Sequence, residues 1–224
     1  ASLITVALGI GGGGLLLTIM ATLVPPAALI PVHGVVQLGS NGGRALMLWR
    51  SIHWTAVIPG FLLGSLAGSA VGGAVVVDLP PAVVQIGVGG FVIYSVLARP
   101  PEWLSRWTWV TGGISSFLSM FFGATGLFVA NYTKSFGLPR HDHVATHAMM
   151  MTVQHGLKVL VFGMLGFAFG GWAPVVLALV AAGFAGTLTG RLVLNRISDH
   201  GFRRALDILL VLISLNLIWQ GVTG

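Results

Sequence analysis

The feature that most limits how this chain can fold is a succession of apolar runs, each close to twenty residues long. They lie at about 27–49, 54–77, 80–98, 143–164, 172–194 and 203–220. About twenty apolar residues are what a helix needs to cross the hydrocarbon core of a bilayer. Only 7% of the 224 residues are charged, against roughly 25% in an ordinary soluble domain. So little charge cannot cover a water-facing surface, so the sequence reads as an all-α polytopic membrane protein with the lipid bilayer as a partner. There is no cysteine, which excludes disulfides, thiol catalysis and cysteine metal sites. The formal charge of +6 comes from residues scattered at the ends of apolar runs, with no basic stripe, so nucleic acid is not an expected partner. The first residues lack the basic stretch of a cleavable signal peptide.

The chain repeats itself. "LVPPAALIPVHGVVQLGSNGGR" (23–44) overlays "GLPRHDHVATHAMMMTVQHGLK" (137–158) without a gap. Pro25 then falls on Pro139, His33 on His147, Gly42 on Gly156 and Arg44 on Lys158. Upstream, "GGGG" (11–14) matches "GATG" (123–126). We read a first repeat over 1–98, a cytoplasmic linker over 99–106 and a second repeat over 107–224, within a single transporter domain. The segments 3–24 and 107–134 are both interrupted by these glycines, which weaken a helix by about 1 kcal/mol each relative to alanine.

Charge chooses the topology. If both interrupted segments are re-entrant hairpins, six full spans remain. All of the eleven Lys and Arg residues except Arg44 and Lys158 then fall on one face. Eight simple spans would split them. The positive-inside rule favours the hairpins and makes the basic face cytoplasmic. Three full crossings per repeat invert one half relative to the other, a recurrent transporter design with its site at the midplane between broken helices.

Ionisable residues inside such a bundle are costly and usually functional. His33, Gln37, Asn41 and Arg44 follow helical spacing and form one stripe. His147, Met151, His155 and Lys158 form its counterpart, with Gln154 beside it. Inversion sets Arg44 and His147 at cytoplasmic depth and His33 and Lys158 at outer depth, with Asn41 and His155 between. With no acidic residue at those depths, the cations call for an anion. Half-helices beginning at Gly12, Gly13 and Gly14, and at Thr125 and Gly126, would aim N–H groups and positive dipole ends at it. The bland alternatives are snorkelling cations, histidines bonded to carbonyls, and glycines that serve helix packing, as for Gly64, Gly68 and Gly72.

"GIGGGGLLLTIM" (9–20), the proline turn after it, and "GATGLFV…GLPRHDHVATH" in the second half resemble the TauE/SafE family of sulfite exporters. The resemblance covers nearly the whole chain, and the doubled glycine motif is its most specific part. The sequence departs from the pattern at Thr18 and Ala130, where a proline is expected. The resemblance implies a multi-pass secondary transporter of the inner membrane, not an enzyme. Its substrate would be sulfite, an organosulfonate or a similar small anion, held by the two stripes and the glycine half-helices with no metal and no cofactor. Homo-oligomerisation is left open. Two other classes stand against this. Seven histidines could serve a Ni²⁺ or Co²⁺ transporter, although Arg44 and Lys158 would repel a dication. An intramembrane serine protease lacks its nucleophile motif, since "GISSF" (113–117) does not supply one.

Overall fold

A computed structural model describes residues 12–76, 80–97, 107–123, 125–193 and 199–223. Every regular element among them is helical. They are α1 (Gly12–Ala21), α2 (Pro26–Met47), α3 (Trp54–Val57), α4 (Gly60–Val75), α5 (Pro81–Leu97), α6 (Thr108–Phe122), α7 (Gly126–Lys134), α8 (Arg140–Met164), α9 (Ala173–Val193) and α10 (Asp199–Thr223). Proline sets several of the starts. Pro25 and Pro139 cap α2 and α8 from extended backbone, and Pro26 and Pro81 open α2 and α5, where a missing N–H costs nothing. The apolar run at 54–77 is two helices rather than one, because the chain turns at Ile58-Pro59 between α3 and α4. Residues 1–11 and the linker residues 99–106 lie outside the described residues, so the first arm of the opening segment is not placed.

The second glycine-interrupted segment is a hairpin. Gly123 ends α6 at φ +72, a left-handed conformation that glycine adopts without a Cβ clash. An unbroken helix would set Thr108 and Tyr132 about 36 Å apart at 1.5 Å per residue. Instead the Tyr132 hydroxyl donates to Thr108 Oγ1 at 2.7 Å. α7 therefore doubles back along α6.

Helix directions follow from close approaches at glycines. Gly64 lies against the Trp109 carbonyl, Gly68 against that of Gly113 and Gly72 against Phe117 and Met120, so α4 and α6 run parallel with backbones in contact. Gly89 meets Ser214 and Ile218 while Gly221 meets Ala82 and Ile86, so α5 and α10 are antiparallel. Two groups of chain segments result. Tyr132 bonds Thr108, Gly60 packs on Thr108, the His53 N–H donates to Thr146 Oγ1 at 2.9 Å and the His53 ring lies 6.0 Å from Phe136. At the opposite end Pro26, Val76, Val84, Leu165 and Phe167 line one cavity.

Apolar side chains fill two core clusters, around Leu17, Leu29 and Leu217 and around Phe61, Tyr132 and Met150, and yet polar groups are buried beside them while large apolar ones are exposed. His33, Arg44, Gln154, His155 and Lys158 are buried, whereas Leu23, Leu63, Leu160, Met164, Leu177 and Leu212 are exposed. Two stretches, Trp54–Val75 and Phe169–Gly186, are by length and composition long and apolar enough to cross a bilayer, and Gly12–Ala21, Ala82–Tyr94 and Leu210–Thr223 are shorter apolar helices. None of the window in Phe169–Gly186 is buried within the protein. It packs on α2 through Val180 and Phe184, and the apolar side chains it leaves exposed, such as Val175 and Leu177, call for lipid around them.

Candidate functional site

α2 and α8, of 22 and 25 residues, pack antiparallel along the two polar stripes. Gly34 faces Lys158, Leu38 faces Gly156, and Gly42 faces Thr152, one index rising as the other falls. This register brings His33, His155 and Lys158 together towards one end, and sets Arg44 within electrostatic reach of His147 towards the other. The His155 ring lies 5.9 Å from that of His33.

The two histidines that the repeat pairs make the same contact. His33 Nε2 lies 3.1 Å from the Gly13 carbonyl oxygen, and His147 Nε2 lies 3.2 Å from that of Gly126. A carbonyl oxygen only accepts, so each Nε2 carries the proton and donates it. Each imidazole thereby ties its long helix to the first turn of a half-helix, α1 or α7. A Cβ at Gly13 would meet the end of the Gln37 side chain, which would have to move aside. Above Gly14 there is open space, and Gly126 has only Met151 Cε, at 3.9 Å. Thr18, at the position where a proline is expected, returns its hydroxyl to the Gly14 and Leu15 carbonyls at 3.2 and 3.1 Å, and α1 continues through it.

The rest of the first stripe is linked along α2. Asn41 Nδ2 donates to the Gln37 backbone carbonyl at 2.9 Å and to Gln37 Oε1 at 3.3 Å, and Arg44 Nη1 donates to Asn41 Oδ1 at 3.4 Å. In the second half Gln154 is fully engaged. Thr125 Oγ1 donates to its Oε1 at 2.7 Å, and its Nε2 donates to Ser115 Oγ at 2.9 Å and Ser116 Oγ at 3.1 Å. All four side chains are buried. Gln154 and Thr125 therefore fasten the start of α7 to α6 and α8, with the Thr125 hydroxyl hydrogen and the Gln154 amide hydrogens engaged inside the protein. Ser115 and Ser116 were weighed only as a nucleophile motif. Their signal is two adjacent hydroxyls on an apolar helix that stops about two turns further on.

The other polar atoms of this region are not satisfied. His33 Nδ1, His155 Nδ1 and Lys158 Nζ are buried and have no hydrogen-bond partner. Lys158 has 0% of its surface exposed. A buried ammonium without an acceptor costs several kcal/mol relative to water. Three buried nitrogens without partners thus come from the same stretch of two packed helices, the His33 and His155 rings 5.9 Å apart and Lys158 against Gly34. Among the described residues, no group of three His, Asp or Glu side chains is arranged to hold a metal ion. Beyond this cluster, one turn from His33 and from Lys158, lies an apolar cavity of about 270 Å³ lined by Ala27, Ile30, Val84, Met120, Phe162 and Phe167 among others.

No curated protein and no solved structure matches the chain. A family model described as sulfite exporter TauE/SafE matches residues 1–217 of the 224. The chain belongs to the sulfite exporter TauE/SafE family of membrane transporters.

Proposed function

We propose that the chain is a multi-pass secondary transporter of the inner membrane that moves a small sulfur-containing anion, sulfite or an organosulfonate, by alternating access. The observation that carries this is Lys158. Its ammonium is buried without an acceptor beside two imidazoles and, among the described residues, no acidic side chain, and an oxyanion supplies the acceptors that the protein withholds. Arg44 and His147, further along the same helix pair, form a second cationic station on one path. Nothing favours the divalent-metal alternative, since a dication next to Lys158 would meet repulsion and too few ligands.

The inverted arrangement of the halves is part of the proposal. It is supported by the matching His33–Gly13 and His147–Gly126 contacts and by antiparallel α2 and α8. It is supported too by the gathering of residues 53, 60, 108 and 132–146 at one end, with exposed Trp49, Trp54 and Trp107 where an interfacial aromatic belt belongs. Two experiments test the reading. Proteoliposomes should take up or release radiolabelled sulfite or ethanesulfonate faster than protein-free vesicles, and equal rates for both anions would remove the transport claim. Single cysteines introduced at Ser51 and Ser105 should be labelled by an impermeant maleimide from the same, cytoplasmic side. Labelling from opposite sides would end the inverted-repeat argument.

A further inference from the structure

We propose that the anion enters the Lys158 pocket together with one proton, which is taken up at His33 Nδ1. This rests on the transport reading above and adds the coupling ion to it. The starting point is a tautomer fixed by geometry. His33 Nε2 faces the Gly13 carbonyl at 3.1 Å, and a ring lone pair aimed at a carbonyl oxygen would be repelled, so Nε2 bears the hydrogen. The Gln37 amide nitrogen, 3.3 Å from Nε2, could donate only to a bare Nε2; the shorter contact with a carbonyl oxygen, which can do nothing but accept, decides for the hydrogen on Nε2. In the neutral ring Nδ1 is then a bare lone pair, buried and without a partner. A lone pair repels the oxygens of an anion. For His33 to contribute to holding one, Nδ1 must carry a second proton. That proton comes from solvent, no covalent bond breaks, and the ring becomes an imidazolium whose Nδ1–H donates to the anion.

The surroundings leave few other ways to balance the charge. From α8, His155 and Lys158 face His33. α1 and α6, which also pack on α2, carry no titratable side chain. α5 carries only Tyr94, α9 only Arg191 in its last turn, and α2 itself Arg44 eleven residues further on. Asp142 lies in the first turn of α8, far along that helix from Lys158. Without an anion, a second charge next to Lys158 is opposed by repulsion and burial. With an anion present, both cations are neutralised, so proton and anion bind cooperatively and each raises the other's affinity by the same factor.

Ethanesulfonate is the appropriate probe, because it is ionised at every working pH and any proton counted belongs to the protein. Calorimetric titration of the whole detergent-purified protein, in phosphate and in Tris at one pH, should give binding heats that differ by about one buffer ionisation per anion. Affinity should fall by up to about tenfold for each pH unit on the alkaline side of the titration. In His33→Gln the amide N–H can keep the Gly13 contact but takes up no proton. That variant should bind more weakly, with heats independent of buffer and a flatter pH profile. Buffer-independent heats for the parent would overturn the proton coupling and leave the transport reading intact. Uptake that persists in His33→Gln would overturn the assignment to His33. No binding heat for either ethanesulfonate or sulfite would remove the transport reading and this one with it.

Discussion

Lys158→Met should lose nearly all anion binding and, without anion, melt at a higher temperature than the parent. The two effects have one cause. The Lys158 ammonium is buried with no acceptor, so the empty protein bears its desolvation uncompensated. A methionine of similar length fills the space beside Gly34 with no charge, and replacing a buried ion by an apolar group of like volume is often stabilising by about 1–4 kcal/mol. The same substitution removes a charged donor from the anion, which costs on the order of 1.5–3 kcal/mol, or roughly ten- to a hundredfold in affinity. Arg44→Gln should do much less. Its guanidinium already bonds Asn41, and at 9% exposure it retains some contact with the outside. The repeat makes the two cations equivalent by position, and the difference in their surroundings separates them. Calorimetric titration with ethanesulfonate and thermal melting in detergent, on both variants, decide the matter. If Lys158→Met binds like the parent and melts lower, Lys158 holds the helix pair together and the anion sits elsewhere.

What could be read from the chain, and what could not, divides along a physical line. Helix bounds were legible because prolines and apolar runs are local signals. Pro25-Pro26 and Pro139 start α2 and α8 where the repeat alignment placed them, and the run at 172–194 appears as Ala173–Val193. The division at Pro59 was missed because an unbroken apolar run conceals a turn. The stripe of His33, Gln37, Asn41 and Arg44 was legible because spacings of three and four residues share a helix face. Which of these atoms are satisfied was not legible, since that depends on neighbours far away in sequence. Gln154 looked as available as His155 from spacing alone. It is committed to Ser115 and Ser116, almost forty residues earlier, whereas the His155 Nδ1 has no partner. The glycine clusters were read as anion cradles. At Gly13 and Gly126 the backbone carbonyls hold histidines, so those glycines at least position the half-helices.

Gly68→Ala should destabilise the protein strongly, although alanine is the better helix former. In an exposed helix interior the exchange gains about 1 kcal/mol. At Gly68 a Cβ would be driven into the Gly113 carbonyl oxygen, at Gly64 into that of Trp109, and both are backbone atoms that cannot rotate aside. The whole of α6 must move away, which costs the intimate contact that holds α4 and α6 together, and overpacking of this kind costs about 1–3 kcal/mol or more. The displacement also reaches the site. Ser115 and Ser116 stand less than a turn beyond Gly113 on α6 and anchor Gln154, so shifting α6 strains the network around the 123–125 break. Gly90→Ala is the matched control, because nothing lies within 4 Å of where its Cβ would go. In detergent, Gly90→Ala should melt at or above the parent temperature. Gly68→Ala should melt several degrees below it, at roughly 2–4 °C per kcal/mol for a chain of this size. Should both variants melt alike, α4 and α6 are not in backbone contact, and the anchoring of the broken helix through Ser115 and Ser116 loses its foundation.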